Sequence, residues 1–157
     1  VLELEVIGVR IEMPANQPVL LLRASGTPRY LPVWIGAPEA NAIALAQQGM
    51  TPPRPLTHDL LLNVAEELGA TLTEVRIVEL RDKVFFADLV FGESKTVSAR
   101  TSDAVALALR AGCPVMCADE VFDEGGIEMP EEDEDEVEKF KEFLDHVSAE
   151  DFESGEE

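Results

Sequence analysis

An α+β protein built mostly on antiparallel sheet is what this sequence predicts, and three observations carry the prediction. Residues 2–13 alternate apolar and polar side chains, with one change of phase, the period of a strand with one covered face. Two groups of three strand-like runs, at 2–35 and 71–100, are joined by short turns that suit antiparallel neighbours. Helix-like runs fall near 38–48, 57–68 and 101–111, after the strand groups rather than between single strands. Two three-stranded meanders with three main helices fit this order better than a doubly wound parallel sheet.

The elements follow in order. Leu2, Leu4 and Val6 oppose Glu3 and Glu5, and after Ile7-Gly8 the phase flips to Val9 and Ile11. A one-residue flip at a glycine predicts a bulge. Val19–Arg23 is an apolar strand, Ser25-Gly26 a turn, and Arg29–Ile35 a third strand. Pro32 cannot donate to a ladder, so that strand is expected at an edge or a bulge. Pro38 and Glu39 sit where the first turn of a helix favours them. Thr57 is expected to cap a second helix with Asp59 in its first turn. Leu60, Leu61, Val64, Ala65 and Leu68 are its expected buried stripe. The second meander turns at Arg81-Asp82-Lys83 and Gly92-Glu93. Thr101-Ser102-Asp103 is expected to cap a third helix that is apolar on every side. Such a helix is buried in the fold or at a subunit interface. Pro114–Cys117 reads as a short buried strand.

The two helices after the meanders echo each other. Glu39-Ala-Asn-Ala-Ile-Ala-Leu-Ala46 aligns with Asp103-Ala-Val-Ala-Leu-Ala-Leu-Arg110, and four of the eight positions are identical. The alignment pairs Glu39 with Asp103. Two β-β-β-α halves are one reading of this; the other is that Ala and Leu are common helix formers.

Charge divides the chain. The net charge is −20, with 10 basic and 13 acidic residues through position 118 but 2 and 19 beyond it. The expected organisation is one domain over 1–130 and an acidic tail over 131–157. Within the tail, 131–136 is a like-charge run expected to stay mobile. Val137, Phe140, Phe143, Leu144 and Val147 form a stripe expected to dock as a helix. An acidic tail favours solubility and repels non-specific nucleic acid. No run approaches the ~20 apolar residues of a membrane span, and the chain opens Val-Leu-Glu-Leu-Glu without a basic leader. The expected compartment is the cytoplasm. Cys113 and Cys117 lack the spacing of a redox pair and the partners of a structural zinc site, so reduced, buried thiols are expected.

The unusual chemistry clusters at the helix starts. Exposed N–H groups and partial positive charge attract anions there. Arg54 precedes the second start and Arg100 the third, and arginine suits phosphate. Glu39, Asp59 and Asp103 offer hard oxygen ligands for Mg²⁺ or Mn²⁺. His58 is the residue type suited to proton transfer near neutral pH. Thr57 and Ser102 could add hydroxyls to a bound phosphate. On this reading Glu39, His58 and Asp59 do the chemistry and Glu39, Asp59 and Asp103 hold a metal. Arg54, Arg100, Ser102 and Thr57 would bind substrate. The competing reading is that these residues only cap helices and pair with one another.

The same residues carry a family resemblance. Leu31-Pro-Val-Trp-Ile-Gly36 with Glu39-Ala40, Pro53-Arg-Pro-Leu-Thr-His-Asp59 and Arg100-Thr-Ser-Asp-Ala-Val-Ala-Leu-Ala-Leu109 resemble the bifunctional nuclease domain family. Val137-Glu-Lys-Phe-Lys-Glu-Phe-Leu-Asp145 and Glu150-Asp-Phe152 are similar to the ending of bacterial members. Thr101 stands where the family usually has proline. The resemblance implies an α+β fold and nuclease activity on DNA and RNA; the roles given above are chemical inference upon its motifs. Three functions follow as alternatives. One is a metal-assisted nuclease, and another is a non-catalytic module binding a nucleotide, another small anion or a protein segment. The last is a structural oligomer packed through helix 102–111. A homo-oligomer, with a dimer favoured, is expected in any case.

Overall fold

The computed structural model describes residues 1–128. The acidic run, the helix expected at 137–147 and the domain boundary at 130 lie outside the described residues. Strands β1 (Leu2–Glu12), β2 (Gln17–Ala24) and β3 (Arg29–Trp34) form one antiparallel meander. Strands β4 (Leu72–Arg81), β5 (Val84–Phe91) and β6 (Lys95–Arg100) form the other. β7 (Val115–Cys117) lies between them, antiparallel to β1 and parallel to β4. With β8 (Ile127–Glu128) on β3, the sheet runs β6-β5-β4-β7-β1-β2-β3-β8.

Local sequence explains much of this. The register of β1 on β2 shifts between Val6 and Gly8, where the alternation changes phase. In β2, Pro18, Leu20, Leu22 and Ala24 are buried while the alternate residues are only half-buried, as period two requires. Pro32 is tolerated because β8 pairs with Arg29 and Tyr30, leaving the outer side of Pro32 without a strand among the described residues. Asp82 and Lys83 both adopt positive φ (52° and 66°) to make the two-residue turn between β4 and β5, the geometry that matches strand twist.

Among the described residues, four helices accompany the sheet: α1 (Ala37–Gln47), α2 (Thr57–Glu67), α3 (Thr101–Ala111) and α4 (Asp119–Gly125). α1 packs on β1 and β2, α3 on β4, β5 and β6, and the two helices pack on each other. Each meander therefore delivers one helix, and the pair forms a layer over the sheet. Ser102 and Ala104 through Ala108 are buried, so the apolar surface of α3 is spent inside the molecule. The core joins Leu20, Leu22 and Leu31 to Ile43, Val75, Ile77, Val105, Leu107 and Phe122. α4 was not anticipated from the sequence; it packs on β3 and β4 and buries Val121 and Phe122. Among the described residues, no helix is long and apolar enough to cross a membrane. Cys117 is a buried free thiol and Cys113 a half-buried one.

Two expectations are corrected. The stripe of α2 does not face the core: Leu60, Leu61, Val64 and Leu68 are exposed, Leu68 at 80%. α1 and α3 already cover the sheet, so α2 forms an outer layer resting on α3. Its inward residues are His58, Asp59 and Leu62 with Ala65, the one member of the expected stripe that is half-buried. Neither expected cap is made by a hydroxyl. The backbone N–H of Leu56 donates to the Asp59 carboxylate (3.1 Å). Thr101 hydroxyl donates to the carbonyl of Phe85 instead of capping α3 (3.1 Å).

Candidate active site

The meanders and their helices bring three helix starts together. Glu39 lies in the first turn of α1, His58 in that of α2 and Asp103 in that of α3; Arg100 is the last residue of β6. One continuous chain of charge joins them. Arg100 Nη1 is 3.2 Å from Glu39 Oε1, and its Nη2 is 2.7 Å from Asp103 Oδ2. Arg100 Nε also donates to that Asp103 oxygen (2.8 Å). The second oxygen, Asp103 Oδ1, is 2.9 Å from His58 Nε2. Glu39 and Asp103, the two residues paired by the internal echo, thus meet at one guanidinium.

Exposure differs sharply along this chain. The side chains of Glu39 and His58 are 12% and 15% exposed, whereas that of Arg100 is 68% exposed. The acids sit back and the guanidinium faces solvent. Its pKa is raised, first by the hydrogen bond to Asp103 and then by the negative charges of Asp103 and Glu39. Arg100 therefore remains a cation throughout the accessible pH range.

Glycine makes room for this arrangement. A Cβ at Gly36 would lie 2.7 Å from Glu39 Oε1. The carboxylate of Glu39 folds back over the space that the missing side chain leaves.

Beside the chain opens a cleft of about 800 Å³. Pro32, Trp34, Ile35, Leu80, Val84 and Phe85 line it together with Glu39, Arg100 and Ser102. Trp34 is 59% exposed, and its indole N–H donates to Glu12 Oε2 (3.1 Å).

Four of the expected site residues are therefore in contact: Glu39, His58, Arg100 and Asp103. Ser102 is buried at the cleft border. Asp59 is turned away, with Oδ1 accepting from Arg110 Nε (2.7 Å) and Oδ2 from Leu56. Arg110 is itself only 10% exposed and donates also to the carbonyl of Ala106. Arg54 and Thr57 are exposed, and Arg54 forms no ion pair among the described residues. Among the described residues, no three His, Cys, Asp or Glu side chains are grouped as a metal ligand set. As placed, the three acids do not fit one cation: Asp59 serves Arg110, while Arg100 already lies between Glu39 and Asp103. Sequence reasoning missed Arg110, whose partner is 51 positions away. It also missed Lys83, Val84 and Phe85 as cleft residues, and only the turn at 81–83 hinted at them.

Fold and site together define an α+β domain whose polar chemistry gathers at helix starts along an apolar cleft. The sequence profile of the bifunctional nuclease domain matches residues 19–130. The chain belongs to the bifunctional nuclease domain family. It is also 54% identical to an uncharacterised protein of Mycobacterium tuberculosis strain CDC 1551 / Oshkosh, over 96% of this chain and 97% of that protein. An uncharacterised protein of strain ATCC 25618 / H37Rv matches with the same identity and coverage.

Proposed function

We propose that the chain hydrolyses phosphodiester bonds in nucleic acid, DNA or RNA, through the His58–Asp103–Arg100–Glu39 chain. The observation that carries the reading is the His58–Asp103 hydrogen bond of 2.9 Å, with Arg100 on the other oxygen of the same carboxylate. Family membership supports the substrate class. Asp103 accepts the Nε2 proton of neutral His58, which leaves Nδ1 as the basic nitrogen. Nδ1 takes a proton from water as the water oxygen attacks phosphorus. The bond from phosphorus to the leaving oxygen breaks, and that oxygen takes up a proton from His58 or water. Arg100 offers positive charge to the phosphate oxygens as negative charge grows there. Glu39 holds the guanidinium in place. No step is assigned to a metal, because Arg100 supplies the positive charge between the two acids.

A labelled single-stranded oligonucleotide tests this. Cleavage that persists in chelator and is lost in His58→Gln supports the proposal. Cleavage that needs added Mg²⁺ or Mn²⁺ would replace the side-chain mechanism with a metal-assisted one. An absence of cleavage under broad metal and pH conditions would favour the binding module. The net charge of −20 favours that second reading, since phosphate contacts by basic residues supply much of nucleic-acid affinity.

The homo-oligomer is proposed through α2 rather than α3. Leu60, Leu61, Val64 and Leu68 make one apolar face that is exposed among the described residues. A second copy fits it, because the same stripe can meet itself across a two-fold axis.

A further inference from the structure

The catalytic chain explains only one edge of the cleft. Its walls are dominated by apolar groups from Pro32, Trp34, Leu80, Val84 and Phe85, while Arg100 and Lys83 bring cations to the same space. Val84, 53% exposed, and the exposed Trp34 both line it. Apolar walls, an uncovered indole and two cations together match the parts of a nucleotide: a flat base and an anionic phosphate.

We infer that this cleft is a base-binding subsite, and that the chain takes its nucleic acid single-stranded, with a base stacked on Trp34. The inference rests on the hydrolase reading, since it supplies the substrate form for the same site. The hydrogen bond from the indole N–H to Glu12 anchors the ring edge and leaves Trp34 exposed. Base–aromatic stacking is tolerant of sequence because every base has a π-face. A duplex is disfavoured on two grounds. Its bases are stacked inside and cannot reach a cleft wall. Its paired phosphate rows call for an array of cations, and residues 1–118 hold 10 basic against 13 acidic side chains. An uncharged peptide or acyl chain would fill the walls but bring no further anion to Lys83 or to the exposed guanidinium of Arg100, which already pairs with Glu39 and Asp103. With these two cations as the phosphate contacts, the logarithmic salt slope should be shallow, about −1.4 for a single strand.

Trp34 is the single tryptophan of the chain, so its fluorescence reports the subsite directly. The experiment titrates the full chain with phosphorothioate-linked oligodeoxythymidylate, an abasic strand of equal length, and a duplex. Saturable quenching by the thymidylate is expected, with affinity about 10-fold or more above the abasic strand and the duplex. Fluorescence anisotropy of a labelled strand should show a loss of similar size in Trp34→Ala and a much smaller loss in Trp34→Phe. Circular dichroism melts establish that each variant is folded. Equal affinity for thymidylate and abasic strands, or an unchanged affinity in folded Trp34→Ala, would overturn the subsite. Cleavage of unmodified strand is scored separately. Cleavage without base preference rejects the subsite but leaves the hydrolase standing. Base-dependent quenching without cleavage keeps the subsite and rejects the hydrolase.

Discussion

Asp103 is the residue on which the site turns, because its two oxygens serve His58 and Arg100 separately. Asp103→Asn should keep the fold yet misorient the histidine, lowering cleavage by more than 100-fold, on the order expected for loss of a positioned acid–base pair. Gly36→Ala tests the space behind Glu39. The added methyl would displace a flexible carboxylate rather than backbone, so the melting temperature should move little while cleavage falls. A large drop in melting temperature would show that Gly36 serves the fold instead. Asp59→Asn should behave in the opposite way. It breaks the ion pair with the largely buried Arg110 and should cost about 1–2 kcal/mol of stability with cleavage little changed. The residue types at the site were legible in the sequence, since arginine, histidine and acids crowded the helix starts. Which acid belonged to which partner was not, because Asp59 and Arg110 pair across 51 positions. No local pattern encodes such a contact.

Elements were legible where one face of a strand is covered. β1 and β2 displayed their alternation openly, and the bulge at Gly8 announced itself as a phase change. α2 misled because its strongest apolar stripe faces outward while His58, Asp59, Leu62 and Ala65 face inward. Hydrophobic periodicity locates a stripe but not the surface it meets, and polar site residues had taken the inner face. Paired changes Leu61→Glu and Val64→Glu should therefore convert an oligomer to a folded monomer in sedimentation. An unchanged mass would reject α2 as the contact. α4 is short and its strongest signal is Phe122, which is fully buried. Phe122→Ala should cost about 3–5 kcal/mol in denaturant unfolding.

At the scale of the whole molecule, two meanders joined through β7 place two helix starts against one arginine. β7 also brings a pH limit. Burial, reinforced by Asp119, pushes the Cys117 thiol from an ordinary value of 9.0 up to about 12. The unfolded thiol therefore loses its proton first as pH rises. Stability from this group is fully present below about pH 9 and falls between 9 and 12, by up to about 1.4 kcal/mol per pH unit. Cys117→Ser should flatten that alkaline limb in unfolding measurements; an unaltered limb would assign it to other groups. The central claim is that His58, held by Asp103, performs hydrolysis without a metal. Its most direct test is the cleavage rate of a labelled single-stranded oligonucleotide in chelator, for the wild type and for His58→Gln with a melting temperature matched to it. Robust wild-type cleavage and its loss in the variant are the predicted results. Equal cleavage by both proteins, or wild-type cleavage that chelator abolishes and Mg²⁺ restores, would contradict the claim.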